Sequence, residues 1–107
     1  MPLGDDADKV RLLQADAEQG EARAQRHLAN RYLRGQGVPE DAARAVYWMG
    51  RAAEAGLPAA QRSYGEFLEQ GVGGAADPDK ARQWYRRAAE QGDRIARQHL
   101  QRLADPE

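Results

Sequence analysis

Nucleophilic catalysis by a hydroxyl or thiol would have to rest on Ser63, because the 107 residues include one serine, no threonine and no cysteine. A serine nucleophile needs a base within hydrogen-bond reach, and His27 and His99 are the only imidazoles. These three residues stand 36 positions apart, which makes them equivalents in successive copies of one unit rather than neighbours. Ser63 therefore reads as a solvated position away from the apolar stripe of its helix. The two histidines, two units apart, would be separated by around 20 Å if each helix layer adds about 10 Å, too far to share a metal ion.

Other chemistry-bearing patterns reduce to structure in the same way. Gly35-x-Gly37 and Gly71-x-Gly73 could bring backbone N–H groups to a phosphate. Neither is followed by Gly-Lys-Ser/Thr, and neither lies between a strand and a helix, so both read as turns. The carboxylate pairs Asp5-Asp6 and Asp77 with Asp79 fall at predicted helix starts, where negative charge complements the helix dipole. Only Lys9 and Lys80 among the 16 basic residues are lysine, and arginine suits phosphate recognition. Yet 17 acidic residues give a net charge of −1 with pI ≈ 6.1, and the arginines are scattered over every helix. That balance argues against nucleic acid and anionic membranes as partners. No metal or cofactor motif is present, so no cofactor and no catalysis are expected.

Length fits one domain, residues 1–107, able to fold without staples. The acidic start Met1-Pro2-Leu3-Gly4-Asp5-Asp6 lacks the basic and apolar character of a secretory signal, and no apolar run approaches a transmembrane span. The expectation is a cytoplasmic protein without membrane insertion, or a periplasmic one if a leader has been removed.

The element that positions everything is a repeat. Shifting the sequence on itself by 36 residues returns Ala24-Gln25-Arg26 as Ala60-Gln61-Arg62, Gly35 and Gly37 as Gly71 and Gly73, Asp41, Ala45 and Trp48 as Asp77, Ala81 and Trp84, and Arg51-Ala52-Ala53-Glu54 as Arg87-Ala88-Ala89-Glu90. Fixed-period similarity is the mark of a solenoid. Two full repeats (24–59 and 60–95) lie between half repeats at 5–19 and 96–104. Within a repeat, Ala24, Leu28, Ala29 and Tyr32 line one face of a first helix, and Ala45, Trp48, Ala52 and Ala53 line one face of a second. Asp41 and Asp77 are placed as N-caps, Pro78 in a first turn, and Gly20, Gly56 and Gly92 as left-handed closers. The spacing predicts six helices over about 5–19, 21–34, 40–55, 58–70, 77–91 and 93–104. Such a helix pair cannot bury its apolar face alone, so each repeat must lean on the next.

These residues resemble a known family. Ala-x-x-x-Leu-Ala-x-x-Tyr-x-x-Gly-x-Gly-Val from Ala24 to Val38, Asp41-x-x-x-Ala45-x-x-Trp48 and Arg51-Ala52-Ala53-Glu54-x-Gly56 look like the Sel1-like repeat (SLR), a tetratricopeptide-like unit, over residues 5–103. The second copy departs from the first: Tyr64 and Leu68 stand where Leu28 and Tyr32 do, Gly71-Val72-Gly73-Gly74 lacks the valine after its second glycine, and the last half repeat carries Gln101 where a small residue is expected. The resemblance implies an all-α, right-handed α-α superhelix of about six antiparallel helices, acting as an adaptor or scaffold with no enzymatic activity.

Function is then expected on the surfaces the stripes leave free. In the tetratricopeptide-like arrangement, the first helices turn Arg23, Arg26, Asn30 and Arg34 toward a concave groove, with Leu33 at its edge. The next repeat adds Arg62, Glu66, Glu69 and Gln70, and the last half repeat adds Gln98 and Arg102. A groove basic at one end and mixed beyond suits a carboxylate-bearing peptide or an acidic partner helix. The alternative is a structural or inhibitory role, capping an assembly or neutralising a toxin or enzyme through the convex face. There Val46 and Tyr47 replace the Arg82 and Gln83 of the second repeat, whereas Met49 and Tyr85 read as core. Leu100 and Leu103 lack a covering second helix, which leaves a homodimer through terminal helices as a further possibility.

Overall fold

The computed structural model describes residues 6–104. Six helices follow one another: α1 (Asp6–Glu18), α2 (Ala22–Arg34), α3 (Ala42–Glu54), α4 (Pro58–Gln70), α5 (Pro78–Glu90) and α6 (Arg94–Ala104), and no strand occurs among the described residues. All six lie within two residues of the ranges the spacing predicts. The capping pair Asp5-Asp6 lies outside the residues whose side chains are described.

Local chemistry sets the boundaries. Asp41 and Asp77 adopt non-helical backbone angles and accept hydrogen bonds from the N–H groups of Arg44 (3.0 Å) and Lys80 (3.1 Å), so two first-turn donors are satisfied by carboxylates. Pro58 and Pro78 open α4 and α5, where a missing N–H costs nothing. At the far ends of α2 and α4, Gly35 (φ 68°) and Gly71 (φ 74°) turn the chain left-handed and donate their N–H groups to Arg31 and Phe67 carbonyls, a conformation that costs glycine least.

Each helix packs against the one before and the one after it in the chain, and the stack extends 56 × 25 × 18 Å. Contacts made chiefly between sequence neighbours, summed into an elongated body, define a solenoid. One apolar cluster runs from Val10 of α1 through Leu28, Tyr32, Trp48 and Met49 to Phe67 of α4, and a second joins Ala81, Tyr85 and Ala88 to Ala96 of α6. Trp48 is buried and Trp84 half-buried. Each meets a tyrosine edge-on, Trp48 with Tyr47 at 5.1 Å and Trp84 with Tyr64 at 5.4 Å between centroids.

The two repeats fill the same space with different shapes. Where the first has Leu28, Ala29 and Met49, the second has Tyr64, Gly65 and Tyr85, all six at equivalent positions. Tyr85 is fully buried, and a methyl group on Gly65 would come within 2.6 Å of its ring. Tyr64 lies against Gly50, whose added methyl would sit 3.1 Å from the ring. Enlarging two residues thus required glycine beneath each, as close packing of interiors demands.

A buried glutamine links successive repeats. Gln25 donates through Nε2 to the Ala17 carbonyl (3.0 Å), and its equivalent Gln61 donates to the Ala53 carbonyl (3.2 Å). Each satisfies an acceptor near the end of the preceding second helix, where helical carbonyls lack intrahelical partners.

Candidate partner-binding cleft

The first helices α2, α4 and α6 leave two gaps between them, and the polar residues assigned to the groove divide between these gaps. Arg23, Arg26, Asn30 and Arg34 all line one cleft of about 500 Å³, running along α2 and bounded by Leu57 and Ala59 at the start of α4. His27, Arg31 and Gln36 complete its wall. No carboxylate among the described residues lines it. Among the described residues, Arg23, Arg26 and Arg34 make no ion pair, and Arg26 Nε is buried without a hydrogen-bond partner.

The gap between α4 and α6 is filled by its own side chains. Arg62 Nε reaches both oxygens of Asp93 at 3.3 Å, and these side chains are 20% and 12% exposed, so the pair is screened less than a surface pair. Asp93 also accepts the N–H of Ala96 at 2.8 Å, capping α6. Glu69 takes a two-pronged contact from Arg102, NH1 to Oε2 at 2.7 Å and NH2 to Oε1 at 3.0 Å, and accepts the hydroxyl proton of Tyr85 at 2.7 Å. Planar guanidinium and carboxylate match in such a fork.

His99 lies between Glu66 (Nε2 to Oε2, 2.9 Å) and Arg102 (Nδ1 to NH2, 3.1 Å). A guanidinium can only donate, so Nδ1 accepts and the ring proton sits on Nε2, where it is given to Glu66. The Arg102 fork holds the Glu69 carboxyl below the usual carboxylate value against the opposing effect of burial, with Tyr85 assisting. Burial, then the bond to Glu69, pushes the Tyr85 hydroxyl well up.

Arg62, Glu66, Glu69 and Arg102 therefore stand in a closed network. Gln70 and Gln98 are exposed, and Leu33 packs half-buried against the apolar core instead of lining the cleft. Ser63 is half-buried rather than solvated, because α4 is the middle of the three first helices and has neighbours on both flanks.

On the other face, Val46 and Tyr47 border a smaller hollow of about 250 Å³ with Gly50, Arg51, Glu54 and Tyr64. Val46 is half-buried against the core, while Tyr47 is 54% exposed and held by Arg51, whose NH1 donates to its hydroxyl at 2.7 Å. Met49 and Tyr85 are fully buried. At the end of the stack, Leu100 and Leu103 rest half-buried on the second apolar cluster, and Ile95 is exposed. No helix among the described residues is long and apolar enough to cross a membrane.

One short loop accounts for part of the difference between the two gaps, beside the Glu66–His99 and Glu69–Arg102 pairs, for which the first repeat has Asn30 and Leu33 in place of the two glutamates. Gln91-Gly92-Asp93 supplies the acid for Arg62 and a donor for Gln61, whose Oε1 accepts from Gln91 Nε2 at 2.9 Å. The equivalent Ala55-Gly56-Leu57 supplies neither, and among the described residues the buried side-chain polar atoms left unpaired are Gln25 Oε1 and Arg26 Nε, the counterparts of the two satisfied atoms. Sequence reasoning placed the arginines but passed over Leu57. The signal was its alignment, 36 residues earlier, with Asp93.

Comparison with known proteins accords with this geometry. The Sel1 repeat family model matches residues 22–57 and 58–93, two contiguous blocks that begin two residues upstream of the frame taken from the sequence. The crystal structure of a Sel1 repeat protein from Oxalobacter formigenes is 41% identical, covering 88% of this chain and 71% of that one with a TM-score of 0.85. A protective antigen of uropathogenic Escherichia coli displaying an SLR fold is 37% identical over 95% of this chain, TM-score 0.89, and this chain spans only 22% of its length. Helicobacter pylori cysteine rich protein B, 20% identical over 85% of this chain and 68% of its own, shares the fold with a TM-score of 0.81. No curated protein matches the chain. With two consecutive repeat matches and a solved relative above 40% identity, the chain belongs to the Sel1 repeat family, whose members are generally protein–protein interaction modules without enzymatic activity.

Proposed function

We propose that this protein is an adaptor that holds a peptide or protein partner in the cleft between α2 and α4. The observation that carries the reading is a run of arginines, Arg23, Arg26 and Arg34, without an internal acid among the described residues, on the same side of the stack where the next gap is fully compensated. Guanidinium groups gathered without partners repel one another and are relieved by a bound anion. The rigid stack holds them in place beforehand, which lowers the entropy cost of binding.

A second reading places the partner on the opposite face, on the exposed ring of Tyr47 beside the small hollow at Tyr64. Aromatic side chains held rigid at a surface are frequent anchors of protein interfaces. One titration separates the two. Peptides selected against the protein from a random display library, added to ¹⁵N-labelled protein, should shift the amides of Arg23, Asn30 and Gln36. Shifts confined to Val46, Tyr47 and Tyr64 would establish the convex face instead. Charge reversal of Arg26 and Arg34 to Glu should abolish binding while helicity and melting temperature stay nearly unchanged.

A further inference from the structure

We infer that the α2–α4 cleft recognises an acidic peptide segment, one of whose carboxylates serves Arg26 as the internal Asp93 serves Arg62. This deepens the adaptor reading above and rests on it.

The argument comes from the protein's own repetition. Arg26 and Arg62 occupy one position of one scaffold, 36 residues apart. In the second repeat, an aspartate one helix further along the chain places its carboxylate against the guanidinium at 3.3 Å and caps the following helix. In the first repeat, Leu57 stands at the aspartate's position and offers no side-chain cap to α4. Arg26 is only half-exposed, its Nε has no partner, and Arg23 and Arg34 flank it along the same wall. A guanidinium partly removed from water and lacking an acid is unfavourable unless something outside the fold supplies one.

The scaffold itself favours a carboxylate over a phosphate as that anion. The complementary group it uses at the equivalent site is an aspartate, held by the same arginine position. The cleft follows the length of α2, with Asn30 between the arginines to bond a peptide backbone and Leu57 offering an apolar contact at one end. An extended segment with glutamates or aspartates interrupted by smaller residues fits this wall.

The test supplies the missing acid from within. Leu57→Asp places a carboxylate where the second repeat has Asp93, so the variant should cap α4, offsetting the loss of Leu57 packing on the apolar core, and lose roughly tenfold or more in affinity for an acidic peptide. The probe is a twelve-residue peptide of glutamate and glycine, blocked at both ends, followed by amide shifts in the full chain, beside its glutamine-for-glutamate twin and a single-stranded oligonucleotide of equal charge. Arg26→Gln, which places there the residue found at position 98, is the second variant and should weaken the glutamate peptide to a similar degree.

The inference stands if the glutamate peptide shifts α2 amides, the glutamine twin does not, and both variants lose affinity. It falls if the glutamine twin binds equally, if neither variant changes affinity, or if the oligonucleotide binds more tightly than the peptide. Should library-selected peptides shift α2 amides yet tolerate glutamine and Leu57→Asp, the adaptor cleft survives and the carboxylate requirement does not. Shifts around Tyr47 alone would remove both.

Discussion

The gap between α2 and α4 and the gap between α4 and α6 are built from the same helix pairs, yet one is open and cationic and the other is closed by its own ion pairs. Backbone and core do not account for the difference, since both repeats place their first helices alike and bury equivalent stripes. Two loop residues do, together with Glu66 and Glu69, which stand where the first repeat has Asn30 and Leu33. Gln91 and Asp93 reach back to the preceding first helix, whereas Ala55 and Leu57 cannot. A solenoid thus turns a repeated wall into a specific site by withholding compensation in one unit, because each unit answers only to its neighbours.

The most damaging way to disturb this symmetry is to interfere with packing under the closed gap. Gly65→Ala drives a methyl into the Tyr85 ring and should cost about 1–3 kcal/mol. Adding Tyr85→Met, which installs the first repeat's Ala29 and Met49 pair, should return most of that loss in a denaturant melt. A single variant more stable than the parent would show that the two repeats do not pack by shape compensation.

Opening the closed gap comes next. Asp93→Leu removes both the cap of α6 and the acid on Arg62, and should lower stability by about 1–2 kcal/mol. The amides of α4 and α6 should move while those of α2 remain in place.

The Glu69 fork sharpens the comparison through pH. Its carboxyl lies below the ordinary value of 4.5 in the folded protein, so the unfolded chain takes up the proton first as pH falls. The contribution is complete above the ordinary carboxylate value and is lost as pH drops through the lower, folded one. Melting temperature should therefore fall along that descent, and Glu69→Gln should flatten it, with a loss of about 1 kcal/mol at neutral pH. No comparable descent is expected from the open cleft, where no carboxylate among the described residues lines the wall. Smallest of all, Tyr47→Ala on the opposite face should change stability by no more than about 0.5 kcal/mol, so any loss of partner binding would report a contact directly.

Much of the fold was legible in the residues because its determinants are local. Asp41 and Asp77 cap as their positions predict, Gly35 and Gly71 end their helices, and Trp48 and Met49 lie inward. The grouping of Arg23, Arg26, Asn30 and Arg34 was legible too, since residues three or four apart share a helix face. Ser63 and Leu33 were placed too far out because helical periodicity describes one cylinder and is silent about what flanks it.

Sequence alone, then, determined the unit: its 36-residue period, the helix boundaries and the face each helix buries, all of which depend on interactions spanning a few residues. Tertiary structure decided which polar side chains pair with one another. Arg62 with Asp93, Glu66 with His99 and Glu69 with Arg102 are each more than 30 positions apart, and only the stacking of one first helix on the next brings them within reach. The same stacking, meeting leucine instead of aspartate at residue 57, leaves Arg26 to find its acid elsewhere.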